Sequence, residues 1–247
     1  MWKKLILCLL ISTPAWGYKF TTDFVNGFYW HTLPINISVS EKDPTLKSKL
    51  EYLSRLAVQD WENSTGLNLW DSSSAATTNI IRWSTNFAAE TNMDPASVLA
   101  VAVRYTDGPY FARTEIIING SHMYNQQNNY LLTTITHELG HTMGLDHSDQ
   151  PDAIMAPSLQ LNSTGVRQDD IQGMDDANSQ TVHRQETNYV SPLAYQKQEK
   201  ETSPLSCGTV AVSTASGAEG FSGLLSLGAG ILIGFVRRIR KLFKSLF

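Results

Sequence analysis

The sequence predicts a single α/β (α+β) domain over residues 18–178, and three observations carry that expectation. Short apolar and β-branched runs alternate with two stretches whose apolar residues recur at helical spacing. With 247 residues, 42% hydrophobic and 17% charged, the chain can bury one good-sized core. After residue 178 the periodicity gives way to polar residues, so the domain is expected to end there.

Ahead of the domain, Lys3 and Lys4, the apolar run 5–11 and then Ala15, Trp16 and Gly17 follow the pattern of a secretory signal peptide over residues 1–17. The apolar run is far shorter than the ~20 residues that span a bilayer. Its removal takes Cys8 away and leaves Cys207 alone, so no intrachain disulfide is expected in the exported chain.

Within the domain, residues 34–39 alternate apolar and polar with period two, as a half-buried strand does. Asp43 and Pro44 supply an N-cap and a first-turn proline for a helix. Leu46, Leu50, Leu53, Ala57 and Trp61 share one face of it, and Gly66 ends it. The runs 79–83, 98–103 and 115–118 read as further strands, divided by Asn, Asp, Gly and Pro. Asn128 and Asn129 precede a second helix with Leu132, Ile135, Leu139 and Met143 on its core face, broken at Gly144. Residues 169–174 suggest a third, short helix.

Residues 179–206 are rich in Gln, Thr, Ser, Glu and Lys without periodicity, the composition of a flexible linker. From 207 to 247 the chain reads as a Cys-Gly spacer, an uncharged apolar segment at 220–236 and a basic tail. That segment would be ~25 Å long as a helix, against a hydrocarbon core of ~30 Å, with flanking Arg237, Arg238, Arg240 and Lys241 able to snorkel. Positive-inside logic puts the basic end in the cytoplasm and the domain across the membrane. The same arrangement resembles the C-terminal sorting signals of some exported bacterial proteins, which are removed. A retained anchor and a processed signal therefore both stand, and in either case Cys207 is expected to serve sorting or attachment rather than to inhibit.

Charge narrows the partners. The formal −4 hides two basic ends: residues 18–236 hold 12 Lys and Arg against all 23 acids, a net −11. An acidic body argues against nucleic acid as a ligand. Nothing in the sequence indicates an oligomer.

Residues 137–147 read His-Glu-Leu-Gly-His-Thr-Met-Gly-Leu-Asp-His. His137 and His141, four apart on a helix, leave the same face and can grip one ion. Glu138 points about 100° further round, poorly placed as a ligand and well placed as a general base. Gly144 lets the chain leave the helix with positive φ and bring His147 back as a third ligand. Three imidazoles with one position open make a catalytic zinc site, where a structural one would close with a fourth protein ligand. Zinc would acidify a bound water and polarise the attacked carbonyl, with Glu138 taking the proton. His31, His122 and His183 lack ligand spacing.

This extended motif, followed eight residues on by Met155, is similar to the metzincin clan with its Met-turn. Leu145 and Asp146 before His147, Ser148 after it, the turn 154–157 and the stretch 168–173 resemble the matrixins, the matrix-metalloproteinase type, over about 18–178. The resemblance implies a metzincin-type catalytic domain: a twisted, mostly parallel sheet with an antiparallel edge strand, an active-site helix and a C-terminal helix. It implies His137, His141 and His147 as zinc ligands, Glu138 as catalyst, and Met155 as an apolar floor, with Pro157 in the same structural turn. Asp169 and Asp170 become buried acids bound to backbone or to the mature N-terminus, with exposed acids at a helix start as the other reading. An extended substrate would lie as an added antiparallel strand on a sheet edge, at 98–104. Pro157 and the apolar turn imply a hydrophobic pocket for the residue after the scissile bond. The sequence departs from the pattern at Ala156, where the family's turn has Tyr, and shows no Pro-Arg-Cys-Gly switch segment after Gly17. Structural Ca2+ stays open, since no run of Asp, Gly and His marks a site.

The expected function is a secreted or surface-anchored zinc-dependent endopeptidase acting on protein or peptide substrates, exported through its signal peptide to an extracellular, periplasmic or cell-surface location and membrane-anchored or sorted by its C-terminal tail. The alternative is a catalytically inactive, zinc-containing binding or adhesion module. Its signature would be loss of the glutamate, and Glu138 is present.

Overall fold

The computed structural model of the chain describes residues 17–72, 77–159, 165–195 and 208–212, with Leu159 and 208–212 as backbone alone. Residues 1–16, which hold most of the expected signal peptide, lie outside the described residues, as do Cys207, the apolar segment 220–236 and the basic tail. Among the described residues no helix is long and apolar enough to cross a membrane.

Two short pieces, β1 (Lys19–Phe20) and α1 (Thr22–Val25), lead to β2 (Tyr29–Trp30), β3 (Ile35–Asn36) and β4 (Ser38–Val39). The expected strand at 34–39 is thus divided. The chain changes neighbour at Ile37, whose N–H bonds Asp71 while that of Ser38 bonds Asn79. The long helix α2 (Pro44–Thr65) has the expected ends: the Asp43 side chain accepts from the Leu46 N–H, and Gly66 closes the helix at φ 73°. Leu50, Leu53, Ala57 and Trp61 form its buried face.

Then come β5 (Trp70–Asp71), β6 (Ile80–Ser84), α3 (Phe87–Thr91), β7 (Val98–Asp107) and β8 (Tyr110–Asn119). β7 and β8 are an antiparallel hairpin, longer than the runs at 98–103 and 115–118 suggested. Its outer half carries polar residues held across the strands, where Arg113 stacks on the Tyr105 ring at 3.5 Å. Along β7 the faces alternate. Ala100 and Ala102 join the main core, whereas Val101 and Val103 pack with Phe87 and Ile117.

The remaining elements are α4 (Asn128–Thr142), β9 (Leu145–Asp146), β10 (Ser158–Leu159), α5 (Gln168–Glu186) and β11 (Gly208–Val212). The main sheet runs β10-β11-β7-β8-β6-β4, with β2 also on β8. The β4–β6, β6–β8, β2–β8 and β10–β11 pairs are parallel, and those made by β7 are antiparallel. This is the mostly parallel sheet with an antiparallel strand towards one edge that the sequence led us to expect.

Three boundaries differ from expectation. The helix expected at 169–174 spans 19 residues, because Gly173, Met174, Ala177 and Thr181 give it a continuous buried face of mostly small side chains. The turn after it is also tied down, with the Tyr29 hydroxyl donating to the Tyr189 carbonyl and Ser191 to that of Asn26. Residues 179–195 are therefore part of the folded domain rather than linker. At the other end Gly17 already belongs to the fold, its N–H donating to Asp169 and its carbonyl accepting from the Asp149 N–H. Last, residues 208–212, expected within a spacer, form a strand on β7.

Candidate metal centre

α4 runs through the interior rather than over the surface. Every residue from 134 to 142 is buried, and the helix packs against both α2 and the β7–β8 hairpin. Three indoles hold it. Trp30 donates to the Thr142 carbonyl at 2.8 Å, Trp61 to that of Thr136 at 2.8 Å, and Trp70 to the Thr142 hydroxyl at 3.0 Å. Gly140 is small because Met155 and Trp61 lie against the helix there, and a Cβ would run into the Met155 sulfur and sit 3.0 Å from Trp61. A lone glycine inside a helical pattern is the signal for such an approach.

The helix ends where the motif needs it to. Gly144 has φ 98°, and a Cβ there would collide with the Phe24 ring. The chain reverses into β9 and delivers His147. His137, His141 and His147 each present a ring nitrogen, and the three atoms lie within 4.8 Å of one another. Among the described residues this is the one grouping of three or more side chains so placed. His31, His122 and His183 lie outside it.

Two of the rings have their tautomer fixed. His137 Nδ1 lies 2.6 Å from the Ile154 carbonyl and His141 Nδ1 2.7 Å from that of Leu145. A carbonyl only accepts, so each Nδ1 carries the proton and each Nε2 turns a lone pair inward. These two Nε2 atoms stand 2.9 Å apart. Facing lone pairs at that distance repel, and a cation coordinated by both relieves them. Burial also holds both rings neutral, pulling the pKa of His137 down to about 3 and that of His141 well below the usual value. The donor set, three imidazoles with no cysteine beside them among the described residues, suits zinc.

The carbonyl acceptors are positioned in turn. β9 pairs with β1, matching Leu145 to Phe20, and the Gly144 carbonyl accepts from the Thr21 N–H. Ile154 belongs to the turn 154–157, which is bound to the start of α5. Asp170 accepts from the N–H groups of Ile154, Met155 and Arg167 at 2.8, 3.0 and 2.8 Å. Burial nevertheless pushes its pKa up to about 6. Asp169 accepts from Gly17 and from the Ser148 hydroxyl. Both acids are buried, the first of the two readings given above. Met155 is fully buried against Gly140, and Pro157 is exposed.

Asp170→Asn is expected to cost about 1–3 kcal/mol, since an amide cannot accept all three N–H groups as a carboxylate does. Through Ile154 it should also loosen His137 and weaken zinc binding about 10- to 100-fold. Thermal unfolding and competitive zinc titration measure the two. A variant with wild-type zinc affinity would show that the turn does not position the histidine.

Glu138 is wholly buried, and neither carboxylate oxygen makes a hydrogen bond of ordinary geometry. Burial raises its pKa well above the usual value, opposed by the Ala102 backbone amide and the Arg104 charge. Arg104, at 2% exposure, was not singled out from the sequence. It forms a bidentate pair with Asp23 at 2.9 Å and donates to the His141 carbonyl, clamping α1 to the end of α4. Nothing local could have shown this, because 81 residues separate the partners. Asp23→Ala would leave the guanidinium buried and unpaired, at an expected cost of about 3–5 kcal/mol. A shift in denaturant midpoint worth under 1 kcal/mol would contradict that role.

Comparison with known proteins agrees with the geometry. The family model described as Matrixin matches residues 29–177, more than half of the chain. Matrix metalloproteinase-16 of Homo sapiens and of Rattus norvegicus are each 45% identical to it over 53 residues, covering 20% of this chain and 9% of theirs. Macrophage metalloelastase of Oryctolagus cuniculus is 28% identical over 155 residues, 59% of this chain and 32% of that protein. The chain thus spans about a third or less of the curated relatives it matches.

Proposed function

The chain belongs to the matrixin family, and from that premise we propose that it is a zinc-dependent endopeptidase that cleaves protein or peptide chains. The observation that carries the reading is the pair of tautomer-fixed Nε2 atoms facing each other beside Glu138, with His147 closing the set. His137, His141 and His147 would hold a zinc ion, which when bound would supply Lewis-acid polarisation of the scissile carbonyl and acidify the attacking water.

The rest is done by this chain's own side chains and backbone. Glu138 takes a proton from the attacking water and returns it to the leaving amine. Its carboxylate is buried without a hydrogen bond of ordinary geometry, so it is free to receive that proton. The Ile154 and Leu145 carbonyls keep two ligand rings at fixed orientation, which limits reorganisation during turnover. The sheet edge expected at 98–104 is covered by β11 over Val98–Ala102, so the side of β7 away from β8 would offer its N–H and C=O groups to an extended substrate only once that strand leaves. The apolar turn 154–157 borders the pocket for the residue after the scissile bond. Residues 1–17 direct export, and the segment 220–236 with its basic end either anchors the domain at a membrane or serves as a sorting signal that is removed, readings that rest on the sequence pattern.

The test is digestion of a quenched peptide library by zinc-loaded protein, with products read by mass spectrometry. Cleavage inside the peptides, abolished by a zinc chelator, is expected. Folded, zinc-loaded protein that cuts nothing would favour the binding module instead.

A further inference from the structure

β7 has β8 on one side, and on the other lies a segment from far along the chain, β11. β11 is antiparallel to β7, with Gly208 opposite Ala102, Thr209 opposite Val101 and Ala211 opposite Val98. On its far side it is parallel to β10, with Ser158 opposite Ala211 and Leu159 opposite Val212. β10 directly follows the turn 154–157, and α4, the helix carrying His137, Glu138 and His141, packs against β11. Five residues of the chain therefore lie between the sheet edge and the segment leaving the turn, over the helix of the metal centre. That is the place and direction expected for an extended substrate.

We propose that residues 208–212 are a substrate-like strap bound in cis, which competes with substrate for the β7 edge and holds the enzyme in a low-activity state. The inhibitory role rests on the peptidase reading above, whereas the docking of the strand does not. Gly-Thr-Val-Ala-Val is uncharged, lacks proline and includes three β-branched residues, so it suits a strand and carries no chemistry of its own. Only residues 196–207 separate it from the last described turn. Such a tether spans up to about 40 Å when extended and gives a millimolar effective concentration, enough to rival a peptide of ordinary affinity. Release requires only that the strand leave the edge, so a high-affinity substrate displaces it and a cut in the tether removes it.

The test keeps the full chain. Thr209→Pro combined with Ala211→Pro removes two strand N–H groups and disfavours pairing. KM for a short quenched peptide should fall about tenfold in this variant, with kcat little changed. Thr209→Val combined with Ala211→Val, which keeps strand propensity, should behave as the parent. Amide hydrogen exchange at 98–102, measured in the Glu138→Ala background, gives a readout independent of turnover. Protection there should drop in the proline variant alone. Equal KM and equal exchange in all three chains would overturn the strap. Suppression that weakens on dilution of the wild type would overturn the cis arrangement and assign the strand to a second copy. Altered exchange with no cleavage by any chain would overturn the inhibitory role together with the peptidase reading, leaving only a docked strand.

Discussion

Glu138→Ala is expected to fold, to bind one zinc with wild-type affinity and to lose peptidase turnover by about 10²–10⁴-fold. The three ligand rings and their carbonyl acceptors are untouched by the change, so the metal should stay. The Glu138 side chain contributes no hydrogen bond of ordinary geometry to the fold, and its burial works against its charged form. Removing it should therefore leave stability level or raised, which is unusual for a wholly buried residue. A fall in kcat together with an unchanged or higher unfolding temperature separates a catalytic carboxylate from a structural one. Turnover within a few-fold of wild type would remove Glu138 from the mechanism.

His147→Ala is expected to act at the step before. Two imidazoles four residues apart grip an ion incompletely, and His147 is the ligand that the Gly144 reversal delivers. Zinc content after dialysis against a weak chelator should fall from one equivalent to near none, with cleavage lost in proportion. The side chain is half-buried at the end of β9, so the fold should survive. Undiminished zinc would show that His147 is not a ligand. In the Glu138 variant metal stays and rate goes, whereas here both go together, so the pair distinguishes ligand from base.

Much of this site could be read from the sequence because its signals are local. The caps of α2 at Asp43 and Gly66, the apolar spacing of α4 and the break at Gly144 each depend on residues within a turn or two. The zinc motif is likewise confined to eleven residues. What escaped the sequence depends on distant partners. The Asp23–Arg104 pair joins α1 to the far end of β7, and no spacing rule connects them. α5 continues past residue 178 because its few buried positions are small, a face that polar composition hides. The strand at 34–39 divides because two different neighbours, β5 and β6, claim its halves. β11 looked like spacer because five small and β-branched residues form a strand only when an edge is waiting for them.

The central claim is that a single zinc held by His137, His141 and His147 makes this chain a peptidase. Its most direct test is to strip the full chain with a chelator, remove the chelator and titrate zinc back while following cleavage of a quenched peptide. Activity should be absent at the start and rise linearly to a break at one equivalent of zinc. Cleavage that survives complete removal of zinc, or that never returns when one equivalent is bound, would contradict the claim.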